Sequence, residues 1–229
     1  MSSLWRLANR VVGVVSPTLE RGVVSDLDSL IDRMLNSAVV LWANTGWHRF
    51  DDREVNCTVQ LHRWCREAIR RDPSLRILGI QMEWYQPTPE MTAGLADAIG
   101  MVRPDLRISL GQITGRTIEC KRLSLKLDHP RRYVNEGLAR FVESVYGESE
   151  PRAGMVGYIE ADEPRLIAEA INYSIDGHVS MGPSHRMHPL NQAQGPAWHY
   201  ESEHRRNNAR PLRVFHCHID LRQLGFGNA

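Results

Sequence analysis

Lysine is nearly missing from this chain. Of 28 basic residues only Lys121 and Lys126 are lysines, and the rest are arginines. That skew suits bidentate phosphate contacts, and an arginine-rich base composition explains it equally well, so it decides nothing alone. Excess charge is missing too: the net charge of +1 excludes a global field that would recruit a polyanion, and any nucleic-acid contact must rest on a local basic patch. Cysteine is scarce, and Cys57, Cys65, Cys120 and Cys217 show no CxxC spacing. A disulfide framework is therefore not expected, and a reducing cytoplasm is the expected location. Long apolar runs are absent. The stretch around Val11 to Val15 is interrupted by Gly13 and stops at Pro17, far short of the roughly 20 residues that span a bilayer, and the first residues lack a signal-peptide run. A soluble chain with no membrane partner is expected.

What is present is ordinary globular composition, 42% hydrophobic and 24% charged over 229 residues, which implies a packed core and one elaborated domain. Residues 1–50 read as an N-terminal helical arm. Residues 51–229 read as the main domain with a His-rich C-terminal extension, in a single globular unit. Leu27, Leu30, Ile31, Met34 and Leu35 recur with a helical period from Asp26 to Leu41. From Asp51 to about Arg71 the stripe Cys57, Leu61, Trp64, Cys65 and Ala68 marks a clearer helix, ended by Asp72-Pro73. A strand is expected over 76–85 and a short helix near Met91 to Ile99. Leu106, Ile108 and Leu110 then alternate with polar residues, and a second strand runs from about Arg116 to Leu123 after a turn at Gly111 to Gly115. Val134, Leu138, Phe141, Val142 and Val145 predict a helix that ends at Gly147. A strand from Met155 to Ile159, a helix from about Pro164 to Ile175, a loop rich in Gly, Pro and His, and a strand from Leu212 to Leu221 complete the chain. The order predicts an α/β fold, a mixed central β-sheet flanked by helices on both faces.

The informative segment is Arg103-Pro104-Asp105, followed 14 positions later by Glu119-Cys120-Lys121. Asp105, Glu119 and Lys121 are all odd-numbered and lie on two strands joined by a tight turn. A hairpin centred at Gln112 sets Asp105 opposite Glu119, and one centred at Ile113 sets it opposite Lys121. In either register two carboxylates and an ammonium converge on one face. A divalent cation relieves the carboxylate repulsion and leaves positions for water and a phosphate oxygen. A neighbouring lysine holds or deprotonates the attacking water and offsets charge developing on phosphorus. The chemistry so defined is Mg²⁺-dependent phosphodiester hydrolysis, with Mn²⁺ as a substitute.

Pro104-Asp105 with Glu119-Cys120-Lys121 resembles the PD-(D/E)xK nuclease superfamily, also called restriction-endonuclease-like, whose pattern these residues match literally. The resemblance covers roughly residues 51–160. It implies an αβββαβ core, Asp105 and Glu119 as metal ligands assisted by the Cys120 backbone carbonyl, and Lys121 acting on the water. It implies a metal-dependent endonuclease acting on DNA in preference to RNA, in restriction, phage defence, repair or mobile-element biology.

Glu54 heads the apolar stripe of its helix. It is expected to reach the same pocket as a further metal ligand, unless Asp51 and Glu54 merely form a reciprocal cap. Beyond the motif, Arg122, Tyr133, Arg140 and Arg205 are candidate nucleic-acid contacts. Glu136 is placed to hold Arg140, and Lys126 to touch a phosphate. Tyr200 to Arg206 reads as a loop near the groove. Seven of ten histidines follow residue 175, and His216 and His218, joined by His185 and His188, make a zinc reading possible. Double-strand cutting makes a homodimer plausible. The rival to the enzyme is a catalytically silent nuclease-like module that binds nucleic acid or protein.

Overall fold

The computed structural model describes residues 17–45, 53–83, 103–111, 114–145, 147, 150–190, 195–206 and 210–225. The expected helix at Met91 to Ile99 and the candidate cap Asp51 lie outside them. Helix α1 (Pro17–Thr45) starts earlier than its periodicity suggested and leads to α2 (Glu54–Arg71). Three antiparallel strands follow, β1 (Leu78–Met82), β2 (Leu106–Leu110) and β3 (Thr114–Leu123). Helix α3 (129–142) then crosses to β4 (Arg152–Ile159), which lies parallel to β3. Helix α4 (Pro164–Asp176), the two-residue β5 (His188–Pro189), β6 (Ala197–His204) and β7 (Leu212–Asp220) complete a mixed sheet of order β1-β2-β3-β4-β7-β6-β5.

Each sheet face has its own core. On one, α1 contributes Leu27, Ile31, Met34, Leu35, Ala38, Val39 and Trp42, and α2 contributes Cys57, Leu61, Trp64, Cys65 and Ala68, against β-residues such as Ile108, Ile118 and Cys120. This is the stripe read from the sequence, and burial of each large side chain stabilises the fold by about 1.5–3 kcal/mol. The helix expected as an N-terminal arm of the same globular unit packs into the main core. On the other face α3 and α4 cover Leu123, Met155, Ile159 and Val214 with Tyr133, Leu138, Phe141, Ile167 and Ile171. Among the described residues no helix is long and apolar enough to cross a membrane.

Two further elements differ from expectation. Helix α3 is not regular: α-helical His129–Tyr133 and Ala139–Val142 flank a π-helical turn, Val134–Leu138. The segment Tyr200 to Arg206 is not a loop, because its residues as far as His204 form most of β6, with Ser202 and His204 buried.

Gly157 shows how tightly the second face is packed. In register it sits between Lys121 of β3 and His218 of β7, and a Cβ there would lie 2.2 Å from Leu123 Cδ1 and 2.9 Å from a His218 ring carbon. Gly157→Ala is expected to destabilise the fold by about 1–3 kcal/mol through overpacking. A urea midpoint equal to that of the parent would contradict this packing.

Candidate functional site

The β2–β3 pairing fixes the first part of the site. Leu110 pairs with Thr114 and Leu106 with Ile118, so the register is the one that continues with Asp105 opposite Glu119. The Asp105 carboxylate reaches across and accepts the Cys120 N–H at 2.6 Å. Period-two alternation puts Glu119 and Lys121 on the same side of β3. That side faces α3, while the Cys120 side chain is buried in the opposite core.

Lys121 sits at the hub. Its Nζ donates to Glu119 Oε1 at 2.9 Å, to Glu54 Oε1 at 3.1 Å and to the Cys120 carbonyl at 2.8 Å. Arg140 of α3 donates to the same Glu119 oxygen at 2.8 Å. The second oxygen, Glu119 Oε2, is buried and has no hydrogen-bond partner. Three carboxylates, Asp105, Glu119 and Glu54, therefore face two cations, Lys121 and Arg140.

The excess negative charge shows in the protonation equilibria. Burial, then the Asp105 charge, pushes Glu119 up to about 7 against the pull of Lys121 and Arg140. Burial also raises Asp105, opposed by the Cys120 N–H and by Lys121. For Lys121 burial is the largest single influence and acts downward, yet Glu119, Glu54 and Asp105 together outweigh it and hold the ammonium above its usual range. The cluster has room for one more positive charge, as a proton or as a cation.

The structure distributes the other sequence candidates unequally. Glu54 is the first residue of α2, and the preceding Arg53 makes no side-chain cap. Glu54 reaches the site, with one oxygen on Lys121 and the other accepting the Arg122 N–H at 3.2 Å. Arg122 pairs through its guanidinium with Glu160. Lys126 and Arg205 are exposed, Arg205 just past the end of β6. Glu136 feels Arg140 through its charge, after the nearer Arg132. It pairs with Arg132, an i, i+4 neighbour, at 3.1 Å.

Tyr133 requires a correction. It is fully buried, so it offers no surface to nucleic acid. Its hydroxyl instead meets His216 Nδ1 at 2.8 Å and His218 Nε2 at 3.3 Å. His216 continues to Ser202 Oγ, Ser202 to His204, and His204 to His185. Of the histidines considered for zinc, His185 bonds His204, His216 bonds Ser202 and Tyr133, and His218 bonds Tyr133, while exposed His188 stands apart in β5. Among the described residues no group of three or more His, Cys, Asp or Glu side chains is assembled for a metal ion. Ser202 was missed by the sequence reading. The signal was there in the period-two pairs Ser202/His204 and His216/His218, which share faces on adjacent strands.

These histidines give the fold a pH dependence. Burial, then His185, lowers His204 to about 3, and burial, then His199, lowers His218 to about 3. His216 is depressed by burial and by both neighbours. Folded-state values below the unfolded 6.5 mean that the unfolded chain takes up protons the fold refuses, so stability present above that pH is lost as pH falls through it. Asp105 and Glu119 act in the opposite direction, because their raised values let the fold keep protons that the unfolded chain releases. The histidines outnumber them. Stability at pH 5.5 is expected to be below that at 7.5, read as a lower urea midpoint, and an equal or higher midpoint would contradict the neutral histidine chain.

Comparison of the chain with family models, with curated proteins and with solved structures gives no match.

Proposed function

We propose that this chain is a metal-dependent endonuclease of the PD-(D/E)xK, restriction-endonuclease-like kind, acting on DNA in preference to RNA. The observation that carries the reading is the orphaned, buried Glu119 Oε2 in a cluster where three carboxylates outnumber two cations. The element order α2-β1-β2-β3-α3-β4 supports it, with β1, β2 and β3 antiparallel and β4 parallel to β3.

The residues fit a divalent cation. Glu119 Oε2 has no competing partner, and Asp105 stands opposite it with one oxygen on the Cys120 N–H. The Cys120 carbonyl is at the site but accepts from Lys121, and both Glu54 oxygens are engaged. Asp105 and Glu119 would hold the ion, while Glu54 holds the lysine. When bound, Mg²⁺ supplies Lewis-acid polarisation of the phosphate and lowers the pKa of water.

The remaining work falls to the chain's own groups. Lys121, whose three donors are all engaged, would turn one of them to the attacking water and offset negative charge accumulating on the phosphoryl oxygens. Arg140, one-third exposed and anchored on Glu119, is placed to meet a phosphate from solvent. The test is incubation of purified protein with plasmid, single-stranded DNA and RNA, in Mg²⁺, Mn²⁺ or EDTA. Metal-dependent, EDTA-sensitive nicking of DNA is expected. Binding without cleavage under every condition would favour the catalytically silent module instead.

A further inference from the structure

The buried histidine chain and the π-helical turn meet at one residue, Tyr133. The chain is continuous: His185 Nδ1 to His204 Nδ1 (2.9 Å), His204 Nε2 to Ser202 Oγ (2.7 Å), Ser202 Oγ to His216 Nε2 (2.7 Å), His216 Nδ1 to Tyr133 Oη (2.8 Å) and Tyr133 Oη to His218 Nε2 (3.3 Å). A neutral imidazole has one donor and one acceptor, so choosing a tautomer at one end sets every bond along the chain. The far end decides. His218 Nδ1 is buried and has no partner, and a buried N–H without an acceptor is rarer and costlier than an unused lone pair. His218 therefore carries its proton on Nε2 and donates to Tyr133. Tyr133 donates to His216 Nδ1, His216 Nε2–H to Ser202, Ser202 to His204 Nε2, and His204 Nδ1–H to His185. The Tyr133 hydroxyl is fixed twice, as donor and as acceptor, to two residues of β7.

Tyr133 is also the residue after which α3 changes geometry, the π-helical turn running from Val134 to Leu138. In a regular α-helix residues seven apart lie on the same face, and Arg140 would follow Tyr133 toward β7. Instead Arg140 reaches Glu119 on β3, two strands away. The wider turn redirects it. Gly137, inside that turn, lets the helix settle on the sheet, where a Cβ would lie 2.6 Å from Met155 Cε and 3.5 Å from Lys121 Cγ.

We infer that Tyr133 is a positioning residue of the site: its two hydrogen bonds to His216 and His218 pin the start of the π-helical turn and thereby hold Arg140 on Glu119. Its consequence for cleavage rests on the nuclease reading, whereas its structural consequence does not. Losing the hydroxyl leaves both imidazoles short of a partner and frees the turn to relax toward a regular helix, which swings Arg140 off β3.

The test is Tyr133→Phe beside Tyr158→Phe, a control that removes an equally buried hydroxyl, bonded in the opposite core to Thr58 at 3.1 Å and to the Cys120 side chain. Three readouts apply: imidazole ¹⁵N shifts, amide hydrogen exchange over 139–142, and DNA cleavage. In the parent, His216 and His218 are expected as Nε2–H tautomers. In Tyr133→Phe, exchange over 139–142 accelerates and kcat falls about ten- to a hundredfold with KM for DNA unchanged, as for a catalytic group misplaced by about an ångström. Tyr158→Phe loses stability but keeps the parent's exchange over 139–142. If Tyr133→Phe does not fold, Ser202→Ala, which removes the bond behind His216, is expected to shift exchange over 139–142 in the same direction. Parent-like exchange in the folded variant, or equal effects of the two tyrosine variants on that exchange, would overturn the inference. If the parent cleaves nothing, the nuclease reading fails, and the tautomers and exchange still decide the role of Tyr133.

Discussion

Lys121→Ala is expected to lower DNA cleavage by about 10³-fold while the protein stays folded and still binds DNA. An aligned cation at a developing charge contributes on the order of 10²–10³ in kcat. The side chain lies among polar groups, so its removal leaves no apolar cavity. Glu54, Glu119 and Asp105 would then face only Arg140. That repulsion raises the Glu119 and Asp105 values further, so the variant loses less stability than the parent between pH 7.5 and 5.5. Because the loss concerns water positioning and transition-state charge, extra Mg²⁺ or Mn²⁺ does not restore the rate. Survival of near-parental cleavage in Lys121→Ala would make the lysine structural and assign the water to another group.

Glu119→Gln is expected to abolish cleavage by a different route, with stability and metal affinity moving apart. The native carboxyl is held at about 7, above its unfolded 4.5, so the fold resists its ionisation and that cost is present above pH 7 and absent below 4.5. The amide keeps an oxygen for Lys121 and Arg140 but carries no charge. At pH 8 the variant is expected to match or exceed the parent in urea midpoint. Its affinity for Mn²⁺ is expected to fall by at least the roughly 10–100-fold that even outer partners of a metal site cost. Asp105→Ala loses cleavage through the metal as well, and milder carboxylate changes at either position regain some activity in Mn²⁺. A Glu119→Gln protein that binds Mn²⁺ like the parent would show that this carboxylate holds no ion.

The acidic half of the site was legible because its determinants are local. Parity alone brings Asp105, Glu119 and Lys121 to one face, and the tight turn limits the register to two choices, of which the pairing Leu106 with Ile118 is one. Glu54 was legible because a charge at the head of an apolar stripe has to find a partner. Tyr133 was misread because the helical period was taken as unbroken. The π-helical turn that separates its direction from that of Arg140 leaves no mark in an apolar repeat. Strand β6 was missed for a related reason: its buried positions include His199, Ser202 and His204, so the alternation that marks a strand is written in polar residues, of which His199 bonds Asn36 of α1 and Ser202 bonds His204 and, across the sheet, His216. Long-range bonds such as Tyr133 to His216 are properties of the assembled sheet, and no local window contains them.

The central claim is that Glu119 Oε2 and Asp105 hold a divalent cation beside Lys121. It is tested most directly by growing crystals in Mn²⁺ and recording anomalous differences at the manganese edge. The account predicts one dominant peak within bonding distance of Glu119 Oε2 and an Asp105 oxygen, about 2.0–2.3 Å from each as hard-cation sites require, with Lys121 displaced from at least one of its three oxygens. Crystals saturated with Mn²⁺ in which Lys121 keeps all three contacts and no peak lies at Glu119 would contradict it.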